Sequence, residues 1–376
     1  MMARLEEICA INMGQSPDSS TYNEDGNGLP FFQGNADFGE IYPAVRMWCS
    51  EPTKIAREKD ILISVRAPIG ALNIANCECC IGRGLAALTV NEDICAQEYL
   101  WHALSGKVDE LNSKGTGSTF KAINKKTLSE TEIPLPPIDE QRKIAAILDK
   151  VSDLIAKRQQ QLDKLDEAVK ARFVEMFGDV IQNTKLWPQY IFSDITTSRL
   201  GKMLDAKQQT GMCQYPYLAN FNVQWFRFEL DNLNEMDFNE ADRIEFELRD
   251  GDLLVCEGGE IGRCAVWHNE IQPCYFQKAL HRVRCKKEIV LPDYLAWWFK
   301  YNCDNKGFAA IEGAKATISH LPGAKLKALL VSVPPIEQQK QFATFVEQTE
   351  KSKTTISRSL EKLETLKKAL MQEYFG

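Results

Sequence analysis

Three stretches of the chain combine basic side chains with an absence of acidic ones, a composition that suits contact with phosphate oxygens. They span residues 111–129, 271–287 and 313–336. Their basic residues are Lys114, Lys121, Lys125 and Lys126 in the first, Lys278, Arg282, Arg284, Lys286 and Lys287 in the second, and Lys315, Lys325 and Lys327 in the third. A solvated strand or turn would explain each stretch equally well, so a phosphate-facing surface is one of two interpretations.

Side chains that could catalyse a reaction are present, but they lack a recognisable arrangement. The glycine-rich segment 258–263 has no Lys and Ser to grip a phosphate. No base-methylation motif of the Asn-Pro-Pro-Tyr type is present, and the residues near Pro292 and Asp293 do not form a nuclease motif. Cys256 with His268, or Cys264 with His281, could form a thiol hydrolase pair, but neither pair has an evident third group to orient it.

The twelve cysteines do not predict a metal site. Cys77, Cys79 and Cys80 form a C-x-C-C cluster, but no C-x2-C pair or histidine at ligand spacing accompanies it. Reduced, mostly buried thiols are the expectation, as in a protein of the reducing cytosol.

Charge and hydropathy predict a soluble, cytoplasmic chain without a membrane partner. The formal net charge is −7, no run of eighteen apolar residues occurs, and the N-terminus lacks a cleavable signal. Net acidity argues against indiscriminate nucleic-acid binding, although local charge decides contact.

The strongest organising feature is an internal repeat. The segment Pro-Pro-Ile-Asp-Glu-Gln at 136–141 returns as Pro-Pro-Ile-Glu-Gln-Gln at 334–339, 198 residues later, and Phe177-Gly178 returns as Phe375-Gly376 at the same shift. Upstream matches stay in order with smaller shifts, as in Tyr99-Leu100 and Tyr294-Leu295. Two of the basic stretches, 111–129 and 313–336, occupy equivalent places in the repeat, which favours a shared phosphate-facing surface.

The repeat predicts an α+β protein with two tandem mixed globular domains and two long helices. Domain one is expected at 1–132, the first helical spacer at 133–185, domain two at 186–330 and the second spacer at 331–376. Short apolar runs predict strands at 60–65, 85–90, 252–256 and 279–285, and helices are predicted at 97–105 and 295–301.

Both long helices carry apolar residues at heptad spacing, which predicts a coiled coil. No Pro or Gly interrupts residues 139–177, long enough for roughly 58 Å of helix. The predicted pairing residues are Leu148, Ile155, Leu162, Leu165, Val169, Val346, Ile356, Leu360, Leu363 and Leu370. An antiparallel pair within one chain would relate the two domains by a pseudo-two-fold axis.

This order of parts resembles the specificity subunit of type I restriction-modification systems, and the resemblance covers nearly the whole chain. It is carried by LPPIDEQRKI at 135–144 and VPPIEQQ at 333–339, with support from GTGSTF at 115–120, GAKATI at 313–318 and GDLL at 251–254. The chain departs from the family pattern at Lys340-Gln341-Phe342, and domain one lacks the lead-in that Trp187-Pro188 gives domain two.

The resemblance implies a function without catalysis in this chain. The domains would be target recognition domains that read the two halves of an asymmetric sequence in double-stranded DNA, and the helix pair would set the unread gap. Two methyltransferase subunits would bring S-adenosylmethionine, and restriction subunits, where the system has them, would use ATP and magnesium. The helix-end aromatics Phe173, Phe177, Tyr374 and Phe375 are a candidate docking surface for these partners, or ordinary core residues.

Base readout in DNA grooves uses Arg and Lys for guanine and Asn and Gln for adenine, whereas Lys, Ser and Thr reach phosphates. The candidates in domain one are Gln33, Asn35, Arg66, Arg83, Lys114, Thr116, Ser118, Lys121 and Lys125. Those in domain two are Lys202, Lys207, Asn220, Asn222, Gln224, Arg263, Gln277, Lys278, Arg282, Lys315 and Thr317. Two other functions remain open at this point, a coiled-coil scaffold joining two protein-binding domains and a cysteine-dependent hydrolase.

Overall fold

The computed structural model describes residues 1–117, 121–205, 209–309 and 320–376. The candidates Ser118, Lys207, Lys315 and Thr317 lie outside these described residues. Among the described residues, no helix is both long and apolar enough to cross a bilayer.

The chain forms two compact units. Unit 1 contains Met1–Gln160 and Ile356–Gly376, and unit 2 contains Gln161–Thr355. Each unit therefore includes one half of either long helix. The domain limits drawn from the sequence, which separate the helices from the globular parts, remain a prediction.

Unit 1 is built on a four-stranded antiparallel sheet with the order β2-β10-β7-β8. A second sheet has the order β3-β5-β4-β9-β6, and β1 pairs with β11. The strands are β1 (Met2–Arg4), β2 (Cys9–Met13), β3 (Tyr22–Asn23), β4 (Leu29–Phe32), β5 (Trp48–Cys49), β6 (Ile55–Ala56), β7 (Ile61–Ser64), β8 (Leu72–Ile74), β9 (Cys79–Ile81), β10 (Leu85–Val90) and β11 (Glu132–Pro134). The helices are α1 (Leu5–Ile8), α2 (Gln97–Ser105), α3 (Val108–Ser113), α4 (Lys125–Ser129) and α5 (Ile138–Phe177), the last of which continues into unit 2.

Unit 2 repeats the four-stranded sheet and the two-stranded pair of unit 1, but not its five-stranded sheet. Its four-stranded sheet has the order β13-β21-β18-β19, β12 pairs with β22, and smaller sheets have the orders β17-β14-β20 and β15-β16. The strands are β12 (Gln189–Ile191), β13 (Thr196–Leu200), β14 (Gln214–Leu218), β15 (Val223–Gln224), β16 (Arg227–Phe228), β17 (Asn234–Asp237), β18 (Leu253–Cys256), β19 (Cys264–Val266), β20 (Tyr275–Phe276), β21 (Leu280–Cys285) and β22 (Leu330–Ser332). The helices are α6 (Phe192–Ile195), α7 (Glu240–Phe246), α8 (Pro292–Asp304), α9 (Gly323–Lys327) and α10 (Ile336–Phe375).

The repeated Pro-Pro-Ile motif anchors the start of each long helix through one fully buried glutamine. Gln141 accepts a hydrogen bond from the backbone N–H of Ala96 (2.9 Å) and donates to the carbonyls of Ile94 (3.1 Å) and Pro136 (2.8 Å). Gln339 repeats all three contacts, accepting from the N–H of Leu291 at 2.8 Å and donating to the carbonyls of Ile289 (3.0 Å) and Pro334 (2.8 Å). Buried amides must be satisfied in this way, because an unpaired buried donor or acceptor costs desolvation energy.

The residues of the heptad stripe identified in the sequence are shielded from solvent, fully or in part, on both helices. Leu148 and Val169 are buried, and the other eight predicted pairing residues are partly buried. Each helix ends at a phenylalanine followed by glycine. Gly178, with φ +71°, adopts the left-handed conformation common directly after a helix.

The expectation that the helix-end aromatics form a docking surface is wrong for three of the four. Phe173 and Phe177 are buried in the core of unit 2 with Tyr294 and Phe342, and Phe375 is buried in the core of unit 1 beside Tyr99. Tyr374 is partly buried against the core of unit 1. The reason is that α2 and α8 supply aromatic surface that covers the helix ends.

Candidate nucleic-acid interface

Three loops of unit 1 meet at one edge of its sheets. Strands β4 and β9 are parallel neighbours, so their carboxyl ends lie side by side. Residues 33–37 follow β4 and residues 82–84 follow β9. The loop after β7, which carries Arg66, reaches the same edge, because the N–H of Val65 donates to the carbonyl of Gly84 at 2.9 Å.

These loops enclose a cavity of about 300 Å³. Its lining contains four residues predicted from sequence to contact bases, together with backbone and small side chains from the same loops. The lining residues are Gln33, Gly34, Asn35, Ala36, Asp37, Ser64, Arg66, Arg83 and Gly84. The structure therefore brings together Gln33, Asn35, Arg66 and Arg83, which span fifty residues of sequence.

Glycines and short polar side chains fix the cavity walls. A Cβ on Gly82 would lie 2.9 Å from Cα of Gln33, and one on Gly84 would lie 2.5 Å from its carbonyl oxygen, so both positions need glycine for the loops to touch. Asp37 accepts hydrogen bonds from the backbone N–H groups of Gln33 (2.7 Å) and Gly34 (3.3 Å). Among the described residues of the lining, Asp37 is the acidic one, and its carboxylate is already used to hold its own loop in place.

The four polar side chains of the cavity have no partner within the described chain. The side chains of Gln33, Asn35, Arg66 and Arg83 form no hydrogen bond or ion pair with any residue the structure describes. Gln33, Arg66 and Arg83 are exposed and Asn35 is half-buried. Exposed side chains with unused donors, carried on loops whose backbones are hydrogen-bonded to one another, can bind a ligand that offers matching acceptors.

Described residues of the basic stretch 111–129 lie beside this cavity. Ala122 forms β-bridges to both Arg66 and Thr116, and the N–H of Ala67 donates to the carbonyl of Lys121 at 3.0 Å. Thr116 and Lys121 are exposed there. Lys125, at the start of α4, is also exposed, whereas Lys114 forms an ion pair with Glu110 at 2.6 Å.

Matching backbone hydrogen bonds locate the equivalent edge in unit 2. In unit 1 the N–H of Gly82 donates to the carbonyl of Phe32, and in unit 2 the N–H of Gln277 donates to the carbonyl of Leu218. In the same way, the bond from the N–H of Val65 to the carbonyl of Gly84 corresponds to the bond from the N–H of Glu257 to the carbonyl of Ala279. Strands β14 and β20 are parallel, as β4 and β9 are. By this correspondence Arg83 matches Lys278 and Arg66 matches Gly258. The turns after β4 and β14 match through their caps, in which the side chains of Asp37 and Asn222 accept from the N–H groups of Gly34 and Ala219, so Asn35 matches Asn220 and Ala36 matches Phe221.

Three unit 2 candidates have their polar groups occupied by the fold. Lys202 Nζ donates to the carboxylate of Asp242 and the carbonyl of Asp237, both at 2.6 Å. The Asn222 amide is buried and bonds backbone groups on both sides. Arg282 donates to the carbonyls of Glu245 (2.7 Å) and Glu247 (3.2 Å), and burial lowers the pKa of its guanidinium to about 10. These contacts give the three residues a structural task, and their prediction as DNA contacts has no geometric support.

Three other candidates hold the loops of this edge together. Asn220 Nδ2 donates to the carbonyl of Gly258 (3.2 Å), Arg263 donates to the carbonyl of Asn220 (3.1 Å), and Gln224 donates to that of Phe221 (2.9 Å). Gln277 and Lys278 follow β20 at the edge itself. Lys278 is exposed, with Nζ 4.0 Å from Sδ of Met203.

Sequence reasoning missed two exposed apolar side chains at the same edge, Met203 and Phe221. They were overlooked because only polar candidates were sought. Superposing the two halves of the repeat places Phe221 opposite the small residue Ala36, which marks it as a difference between the two edges.

The geometry gives the thiol hydrolase hypothesis no support. Burial raises the pKa of the Cys256 thiol to about 11 and that of Cys264 well above its usual value. His281 bonds the carbonyl of Leu321 at 3.0 Å, and burial lowers its pKa. His268 is exposed and lies 3.4 Å from Asp250. Within the described ranges, no group of three or more His, Cys, Asp or Glu side chains could hold a metal ion.

The fold and this edge define a protein of two α+β units, each with a basic and amide-rich loop surface and a share of two long helices. Comparison with known proteins gives the family. The model of the type I restriction modification DNA specificity domain matches residues 1–167 and 185–367. The chain belongs to this family, and the resemblance inferred from sequence is confirmed.

Individual relatives agree with the assignment. The putative type I restriction enzyme MjaX specificity subunit of Methanocaldococcus jannaschii is 44% identical over 165 residues, which cover 44% of this chain and 39% of that protein. The EcoBI specificity subunit of Escherichia coli is 22% identical over 92% of this chain and 78% of its own length. The crystal structure of a type I S subunit from M. genitalium has the same fold, with a TM-score of 0.62 and 12% identity over 100% of this chain and 96% of that one. The relatives are named specificity subunits, in line with a recognition component rather than an enzyme.

Proposed function

We infer that this chain recognises DNA for a type I restriction-modification complex. Each unit reads one half of an asymmetric bipartite sequence in double-stranded DNA, and the long helices set the gap between the halves. The observation that carries this proposal is the convergence of Gln33, Asn35, Arg66 and Arg83, with unused donors, on one cavity. Arginine suits guanine O6 and N7, and glutamine and asparagine suit adenine N6 and N7.

Contacts inside each unit support an antiparallel pairing of α5 with α10 as the spacer. In unit 1, Phe375 at the end of α10 packs in one cluster with Ile144 and Leu148 near the start of α5. In unit 2, Phe342 near the start of α10 lies 5.4 Å from Phe173, centroid to centroid, near the end of α5. Asp166 and Lys353 add an ion pair of 2.8 Å. Such a pair would relate the units by an approximate two-fold axis.

The partners follow from family membership. Two methyltransferase subunits, which use S-adenosylmethionine, would act on the DNA that this chain selects, and restriction subunits that use ATP and magnesium would join where the system includes them. The complex would work in the cytoplasm. Base flipping would belong to the methyltransferase, because the chemistry on the base takes place there.

Genome-wide mapping of methylated adenines tests the proposal. Deleting the gene should remove methylation from one bipartite sequence, and restoring it should bring that methylation back. Restoring the gene with the Arg83→Ala substitution should relax the base requirement at a guanine position of one half-site and leave the other half-site intact. The reason is that a bidentate arginine contributes about 1–3 kcal/mol of discrimination between bases.

Arg57→Ala is the matched control, because Arg57 is an exposed arginine of unit 1 outside the cavity lining. It should leave the methylated sequence unchanged. A methylation pattern indifferent to deletion of the gene would refute the proposed function.

A further inference from the structure

The reading edges of the two units share a backbone frame but differ in chemistry. Ala36 of unit 1 is matched by Phe221 in unit 2, and Arg66 by Gly258. Ser16 is matched by Met203, because the N–H groups of Gln15 and Lys202 just before them donate to the equivalent carbonyls of Ile81 and Phe276. At these positions unit 1 has two small side chains and an arginine, whereas unit 2 has two large apolar side chains and a glycine.

That apolar surface is open to solvent. Met203 is 62% exposed and Phe221 is 52% exposed, values far above those of core residues. The Phe221 ring makes no stacking contact with another aromatic ring of the described chain, unlike Phe226 nearby, which stacks on Trp297 at 4.4 Å. Large apolar side chains exposed at a predicted binding edge are available to contact an apolar group of a ligand.

The position of Phe221 is fixed by its neighbours. Gln224 donates to its carbonyl, and Asn220 before it bonds the carbonyl of Gly258. Arg263 donates to the carbonyl of Asn220. A ring held at the surface by three hydrogen bonds around its backbone is positioned for contact. It does not fold back into the core.

We propose that unit 2 reads thymine methyl groups through Phe221 and Met203, and that unit 1 reads its half-site by hydrogen bonds. In the major groove the thymine C5-methyl is the one apolar feature of a base edge, and aromatic and aliphatic side chains contact it. Lys278, beside Met203, can donate to thymine O4 or to a guanine of the adjoining pair. The inference rests on the proposed function and adds that the unit 2 half-site contains A·T pairs.

Uracil substitution in synthetic DNA isolates the methyl group, since uracil keeps every hydrogen-bonding group of thymine. The full chain is titrated with duplexes in which the thymines of one half-site or the other are replaced. The half-site whose base requirement is relaxed by Arg83→Ala is the one that unit 1 reads, so the other half-site belongs to unit 2. Uracil in the unit 2 half-site should weaken binding about fourfold for each thymine methyl group that the protein covers, and uracil in the unit 1 half-site should change it little.

The variant Phe221→Ala with Met203→Ala should bind the thymine and uracil duplexes equally. Ile244→Ala is the control, because Ile244 is a 72% exposed apolar residue of unit 2 on α7, and it should keep the difference. Folding of the double variant is checked by its unchanged response to changes in the unit 1 half-site.

Each outcome decides. Sequence-specific binding that uracil substitution does not weaken, or a unit 2 half-site without A·T pairs, would overturn this inference and leave the proposed function standing. A uracil effect that persists in the double variant would assign methyl recognition to other residues and also overturn it. Absence of any sequence-specific binding would refute the proposed function itself.

Discussion

Side chains of one type perform different tasks in this protein, and their surroundings decide which. Arg83 is exposed at a cavity with no partner in the described chain. Arg282 is buried, lies over the ring of Phe276 and donates to two carbonyls. Arg83 follows β9, whereas Arg282 lies within β21. Only the first can change its hydrogen bonds at no cost to the fold, so only the first is suited to reading a ligand.

The lysines near the cavity lead to a prediction about salt. Lys121→Ala combined with Lys125→Ala should weaken binding to all DNA sequences and reduce the slope of log affinity against log salt by about 1.8, because each phosphate contact contributes about 0.9. Titrations from low to moderate salt measure this. Lys143→Ala with Lys150→Ala, two exposed positions on α5, should leave the slope unchanged. An unchanged slope in the first variant would remove the stretch 111–129 from the DNA contacts.

At this scale residue type groups the unit 1 candidates better than the unit 2 candidates, and their contact with DNA stays a prediction. Gln33, Asn35, Arg66 and Arg83 were chosen by residue type alone, and all four line one cavity. The same rule selected Lys202, which is instead committed to Asp242 in the fold. The partner lies forty residues away in sequence, and a pairing at that distance leaves no local signal. Residue type indicates what a side chain can do, but not whether the fold already uses it.

Among the elements, the start of each long helix is the most tightly specified. One glutamine connects the helix to the N-terminus of α2 or α8 and to the preceding proline segment. Tyr99 and Tyr294 add a second connection, donating to the carbonyls of Pro134 (2.8 Å) and Ser332 (2.6 Å). The repeated motif is thus explained by a joint between the globular part of each unit and its helix.

Replacing this glutamine by leucine should loosen the joint without emptying its volume. Gln141→Leu leaves the buried N–H of Ala96 without this partner, at a cost of about 1–3 kcal/mol, and removes the hydrogen bonds to the partly buried carbonyls of Ile94 and Pro136. Hydrogen exchange followed by mass spectrometry should show faster exchange at the start of α2 and a lower urea midpoint. Gln339→Leu should do the same at the start of α8 and spare α2, so each variant serves as a control for the other.

Gln160→Leu, an exposed glutamine on α5, should alter neither region. If the amides at the start of α2 exchanged at the native rate in the Gln141→Leu variant, the hydrogen bonds of Gln141 would not be what holds the start of α5 to the globular part of unit 1.

Elements with clear sequence boundaries were predicted well. Strand β10 and helix α2 have the predicted bounds, and α5 (Ile138–Phe177) lies within the predicted spacer 133–185. The hydrophobic pattern breaks at the ends of β10 and α2, and two prolines precede α5. The short strands β3, β5 and β6 were not predicted, because two-residue strands depend on their neighbours in the sheet and not on their own sequence.

For the whole molecule, the central quantity in the proposed function is the gap between half-sites. Both long helices have 40 residues, and their less exposed positions follow one heptad stripe. Equal length and a shared period allow the two helices to be shortened together without losing the register of the stripe. Shortening them therefore tests the spacer directly.

Deleting seven residues from the middle of both α5 and α10 should shorten the spacer by about 10.5 Å, which corresponds to about 3 base pairs at roughly 3.4 Å each. Mapping of methylated adenines should show the same two half-sites with a gap about 3 base pairs shorter. Methylation should also be less efficient, because 3 base pairs turn the DNA by about 100° and the grooves no longer face the two units in the original way.

Deletion of four residues from both helices is the contrasting variant, because it breaks the heptad stripe and should abolish methylation altogether. An unchanged gap in the seven-residue deletion would mean that the helices do not measure the target. The two half-sites would then have to be spaced by contacts in the globular parts, and the repeat of the long helices would need another explanation.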